Sequence, residues 1–244
     1  MLDVHPPHAA THTWRDFFIH IATICVGLLI AIVLEQAVEA LHHRHEREVL
    51  VQEMRAESER NIAILRTDVD RNLEKATWNH AVMNTLQTTP PHDGMVTAVL
   101  PTHESFLPQI SPSRAVWSVA KANGKVALLS EREAEIYDRL DSEAIAEALS
   151  DDRQNIALTT LQSQAIRLTI RLDSGATINL PAGEVPALTQ TLADAIATAN
   201  ADALRCALYL GASRAVDDRV HDRDDFIPYL KQEKQELEKR LATQ

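Results

Sequence analysis

HIATICVGLLIAIVLEQAVEALHHRHERE, residues 20–48, decides how the rest of the chain is read. An apolar run from Phe17 to Leu34 is flanked by Trp14 and Arg15 on one side and by Glu35 and Glu39 on the other. As a helix, its 18 residues reach about 27 Å, close to a hydrocarbon core of roughly 30 Å. A cleaved signal peptide would require a basic start and small residues at a cleavage point. Here no Lys or Arg precedes Arg15, and Glu35 follows the run directly. The expectation is a retained transmembrane helix over 17–38 behind a short polar tail over 1–16. Trp14 and Arg15 suit an entry interface, and His42, His43, Arg44 and His45 suit the opposite headgroup layer.

One face of this helix is built differently. Thr23, Gly27 and Ala31 recur every four residues, and His20 and Glu35 extend the same stripe. Small residues at that spacing let two backbones approach closely in lipid. A polar group facing a partner helix avoids hydrocarbon. Self-association through His20, Thr23, Gly27, Ala31 and Glu35 is therefore expected. A short tail ahead of a single span favours a periplasmic extramembrane domain in a bacterial inner membrane. The basic cluster after the span favours the cytoplasmic side, so the side stays open, with the periplasm preferred.

Beyond the span, Glu39 to Gln87 contains neither Gly nor Pro. Ile62, Leu65, Val69, Leu73, Ala76 and Met83 mark an apolar stripe at three- and four-residue steps. A helical stalk over 39–87 follows. Residues 88–112 hold five of the ten prolines and read as a long irregular loop. A helical domain over 113–223 comes next. Within it, Ser113 caps a short helix stopping at Asn123-Gly124, and Ser130 with Glu133 forms a capping box. Alternation in RLTIRLDSGATINL, residues 167–180, allows a local hairpin about Asp173-Ser174-Gly175. An isolated ribbon is marginal in water, so a helix ending near Asp173 and then an extended loop is preferred. Another helix runs from about Glu184 to Leu210, where Gly211 ends or bends it. A charged helix over 224–244, with Pro228 in its first turn, reads as solvated or loosely coiled. The fold class is thus mainly α: a membrane helix, a helical stalk and a helical-bundle domain.

The totals agree. Alanine is abundant, the six glycines are few, and aromatics are 4%, which favours helices. A net charge of −11 argues against nucleic acid, because phosphate binding needs concentrated Lys and Arg. The two cysteines, Cys25 and Cys206, lie far apart, form no CxxC pair and predict no disulfide.

Chemistry is sparse. Glu39 and His42 stand one helical turn apart, with His45 on the same face. Such a carboxylate–imidazole pair can ligate a metal, although a di-iron bundle needs two pairs and two further glutamates. The membrane-interface reading of these residues is preferred. Asp222, Asp224 and Asp225, beside His221, are explained by helix capping and lack calcium-loop spacing. Cys206 reads as a core thiol, and Trp78, Tyr137 and Tyr209 read as packing residues. No GxSxG, phosphate loop, GxGxxG or HExxH occurs, and no spacing identifies a hydrolase triad. No cofactor and no enzymatic activity are expected.

His12, Trp14, Arg15, Leu34, Glu35, Val38, Glu39 and His42 to His45 form a pattern that resembles the opening of a group of uncharacterised bacterial single-pass membrane proteins. AVWSVAKANGKVALLSEREAEIYDRL, residues 115–140, is similar to a downstream part of the same group. The resemblance covers about a quarter of the chain and implies a membrane anchor with a helical domain. It implies no activity. The expected function is that of a membrane-anchored, non-enzymatic scaffold, sensor or accessory subunit of an envelope assembly. Its partners would be the bilayer, further copies of itself and an envelope protein. The alternative is a metal- or small-molecule-binding bundle using Glu39, His42 and His45.

Overall fold

A computed structural model describes residues 14–103, 110–220 and 222–243. The N-terminal tail with His12, the end of the proline-rich stretch over 104–109, and His221 lie outside the described residues. The chain is mainly helical: α1 (Trp14–Thr88), β1 (Met95–Val99), α2 (Ala115–Ala122), α3 (Glu131–Arg167), β2 (Thr177–Pro181), α4 (Val185–Asp217) and α5 (Arg223–Leu241). It divides into two compact units, Met1–Val49 and Leu50–Gln244.

The first unit contains the N-terminal part of α1. This helix is long and apolar enough to cross a membrane, and its apolar window has no buried residue. Trp14 packs its ring against Phe17 and Phe18, with ring centroids 5.5 and 5.2 Å away. The Thr23 hydroxyl donates to the Ile19 carbonyl at 2.9 Å, which satisfies it within the helix.

The second unit starts at Leu50, where α1 begins to bury one face. α1 ends where Pro90 and Pro91 cannot continue it. Two apolar cores succeed each other along the helices. In one, Leu65, Val69 and Leu73 of α1 meet Trp117 of α2, Ile136 and Leu140 of α3, Tyr209 of α4, and Phe226 and Leu237 of α5. In the other, Val82 and Leu86 meet Leu161, Leu188, Leu192 and both strands.

α4 is built around a row of small residues: Ala195, Ala199, Ala203, Ala207, Gly211 and Ala215, every fourth position and all buried. Such a row forms a shallow ridge that lets neighbouring helices approach. Gly211 does not end α4, which runs on to Asp217; it serves this approach. A Cβ there would lie 2.8 Å from the Tyr229 carbonyl oxygen and 3.1 Å from Leu230 Cα on α5.

α5 is not a solvated tail. Asp222 caps it by accepting the Asp224 N–H at 3.0 Å, and Phe226, Leu230 and Leu237 are buried. Pro228 lies inside the helix rather than in its first turn.

Residues 167–180 also differ from expectation. α3 stops at Arg167, not near Asp173, because Thr169 adopts φ 57°. Its N–H reaches the Ile166 carbonyl, and the Ile170 N–H reaches Ala165, closing the helix with a Schellman turn. The extended segment that follows is neither a free loop nor half of a local hairpin. β2 pairs antiparallel with β1, inside the proline-rich stretch expected to be irregular. Val96 faces Leu180 and Ala98 faces Ile178, all four buried. Asp93 and Gly94, both with positive φ, turn the chain into β1 between the reciprocal hydrogen bonds of His92 and Met95. The ribbon is stabilised because its apolar face covers the second core.

Candidate functional site

The residues first suspected do not converge. Glu39, His42 and His45 all lie on the exposed surface of α1. His42 Nε2 stands 3.6 Å from Glu46, its i+4 neighbour, rather than pairing with Glu39. His20, Thr23, Gly27, Ala31 and Glu35 are likewise exposed, and nothing would meet a Cβ at Gly27.

Polar side chains converge instead within and beside the first apolar core. α1 contributes Asp68, Arg71 and Asn72; α3 contributes Glu147, Ser150 and Gln154; α4 contributes Asp202 and Cys206, all buried. Helical spacing puts them there: Asp68 and Asn72 share the stripe of Leu65, Val69 and Leu73, Glu147 follows Ala144, and Asp202 precedes Cys206 by one turn. Asn72 is the hub. Its Nδ2 donates to Asp202 Oδ2 at 2.7 Å and lies 3.9 Å from Cys206 Sγ. Its Oδ1 accepts from Gln154 Nε2 at 2.9 Å. Arg71 Nη2 donates to Asp68 Oδ1. Asp68 Oδ2, Asp202 Oδ1 and Gln154 Oε1 are buried without a hydrogen-bond partner among the described residues.

This environment disfavours ionised acids. Burial pushes Glu147 up to about 8, aided by the negative charges of Asp202, Asp151 and Asp68 and opposed by Arg71. Burial also raises Asp202 to about 6, against hydrogen bonds from Ser150 and Asn72. Asp68 is raised by burial despite Arg71, and Lys75 is lowered by burial and by Arg71. Burial holds the Cys206 thiol well above its ordinary value. One carboxylate oxygen each from Asp68 and Glu147 and the sulfur of Cys206 lie within 4.8 Å of one another, from three different helices.

Cys206 is therefore buried in the first apolar core, as expected of a core thiol, with Asn72 as its polar neighbour. Sequence reasoning placed Asp68, Asn72, Glu147 and Asp202 at no site. The available signal was polar residues interrupting apolar helix faces.

A second polar centre anchors α2. The Glu57 carboxylate, buried on α1, accepts from the Ser113 hydroxyl at 2.5 Å and from the Ala115 and Val116 N–H groups at 2.9 and 3.3 Å. Ser113 alone was expected to cap this helix; its hydroxyl accepts from Ala115 only at 3.3 Å, and Glu57 takes the main role. Asn61 exchanges two hydrogen bonds with the Ser113 backbone, and Tyr209 donates a third to the same carbonyl.

Two surface grooves flank Trp78. One of about 730 Å³ is lined by Asp70, Thr77, Pro101, His103 and Arg240; the other, of about 450 Å³, by Leu158, Leu161, Ala165, Ile166 and Leu172. Trp78 donates to the Pro101 carbonyl at 3.3 Å and its ring meets that of His103 at 4.7 Å, so it works as a packing residue between them.

Comparison with known proteins found no matching family model, no similar curated protein and no similar solved structure.

Proposed function

We propose that the chain is a single-pass protein of a bacterial inner membrane, held there by residues 17–38. Its helical unit acts without catalysis, as a scaffold, sensor or accessory subunit of an envelope assembly. The observation that carries the reading is the apolar segment of α1. Ile24, Leu28 and Leu34 are each more than 60% exposed, and no residue of the apolar window finds cover within the chain. An unbroken apolar surface of that length would aggregate in water, whereas lipid solvates it. The resemblance of residues 12–48 to single-pass proteins supports the same reading.

Alkaline extraction of membranes from cells making the full-length chain tests the anchor. The protein is expected in the pellet with its N-terminus intact. Recovery in the aqueous supernatant, or loss of the segment from the mature N-terminus, would refute it. Self-association uses the His20, Thr23, Gly27, Ala31 and Glu35 stripe. Gly27→Ile should weaken crosslinking in native membranes, and unchanged crosslinking would remove this part of the proposal.

A further inference from the structure

We propose that Asp68, Glu147 and Cys206 form a binding site for one divalent cation of the zinc class, at the junction of α1, α3 and α4. This goes beyond the membrane reading and does not depend on it.

Three observations converge on a cation. First, the three ligand atoms lie within 4.8 Å of one another, in a buried position. A modest contraction brings such a set to bonding distance around a single ion. Second, the donors are unengaged where a metal would need them. Arg71 is committed to Asp68 Oδ1, leaving Asp68 Oδ2 buried with no hydrogen-bond partner. Glu147 is about 95% buried, and neighbouring charges act on it only through space among the described residues. A buried carboxyl with no hydrogen bond is costly, and metal coordination is one of the few ways to offset that cost.

Third, the charges do not balance. Asp68, Glu147, Asp151 and Asp202 supply four carboxylates against the two cations Arg71 and Lys75. Two surplus negative charges, three once Cys206 is a thiolate, are reduced to one by a divalent ion. The thiol decides the class of ion. Calcium and magnesium take oxygen ligands, whereas one sulfur with two carboxylate oxygens suits a borderline ion such as Zn²⁺. On binding, the Cys206 thiol and the Glu147 carboxyl release their protons to solvent and become thiolate and carboxylate ligands. Asn72, itself held by Asp202 and Gln154, donates to the sulfur at 3.9 Å and would orient it, as outer partners do in metal sites. The ion would join the three helices at the polar edge of the first apolar core, to which Cys206 belongs.

The test uses the full-length chain carrying Cys25→Ser, purified in detergent and stripped of metal, so that Cys206 is the sole thiol. Titration with Co²⁺ should saturate at one ion per chain and produce a cobalt–thiolate charge-transfer band in the near ultraviolet. Zn²⁺ should then bleach that band. Glu147→Gln should weaken binding by roughly 100-fold or more, beyond the usual effect of an outer-shell change. Cys206→Ser should remove the band while the far-ultraviolet helical signal stays. Absence of the band in folded protein, or binding without charge transfer, would overturn the proposal and leave the cluster a proton-sharing acid network. The Cys25→Ser titration decides even if a buried-site variant fails to fold.

Discussion

Gly211→Ala is the sharpest probe of how α4 and α5 are joined. Inside a helix, alanine is intrinsically favoured over glycine by about 1 kcal/mol, so local propensity alone predicts a stabilised protein. The structure predicts the opposite. The new Cβ would meet the Tyr229 carbonyl oxygen at 2.8 Å and Leu230 Cα at 3.1 Å. Both are backbone atoms and cannot rotate away. Restoring ordinary contact near 3.5 Å requires α5 to retreat by roughly 0.7 Å. That retreat loosens Phe226, Leu230 and Leu237 together, since all three seat α5 in the first core. Overpacking of this kind costs about 1–3 kcal/mol. With backbone atoms in the way, the cost falls at the upper end of that range, so after the propensity gain the net loss should reach about 2 kcal/mol, or a fall in Tm of about 4–8 °C for a unit of this size. Thermal unfolding of the full-length protein in detergent, followed by circular dichroism, measures it. A Gly211→Ala variant as stable as the parent, or more stable, would show that the α4–α5 approach is not a constraint on this fold.

Glu57→Ala should destabilise by about 2–3 kcal/mol in the same melt, because it strips acceptors from Ser113, Ala115 and Val116 at once, and Glu57→Gln should cost less. Ile178→Ala should cost about 2–4 kcal/mol and speed amide exchange at residues 95–99, since Ile178 covers the second core opposite Ala98. Asn72→Ala should cost about 1–3 kcal/mol, because it orphans Gln154 Nε2 and leaves Asp202 with Ser150 alone, and chemical denaturation reads it.

The helical character and several boundaries were legible in the residues. Ser130 and Glu133 do form a reciprocal capping box, and Gly124 does follow α2 with positive φ. Local rules suffice there because each signal lies within four residues of its effect. Apart from the end of α3, which Thr169 closes through local hydrogen bonds, the errors share one cause: partners distant in sequence. Thr169 closes α3 without the glycine that normally announces such a turn. Alternation in residues 176–180 was a true strand signal, but its partner lay in the proline-rich stretch rather than across the adjacent turn. Gly211 reads as a helix breaker until α5 lies against it. The buried polar cluster was hidden for the same reason. Asp68, Glu147 and Asp202 each look like ordinary charged positions on separate helices, and only packing joins them.

The ribbon also bears on the order in which the chain can fold. Thr97 and Asn179 meet across it through their side chains, 82 residues apart. Closing a loop of that length costs on the order of 4 kcal/mol of chain entropy, so the clasp is a late event, after α3 has formed from its own local signals. Until then β1 waits as a lone strand with an open edge, a state prone to intermolecular pairing. Pro90, Pro91 and Pro101 bracket it on both sides, and residues unable to donate a backbone hydrogen bond are well suited to guard a nascent strand.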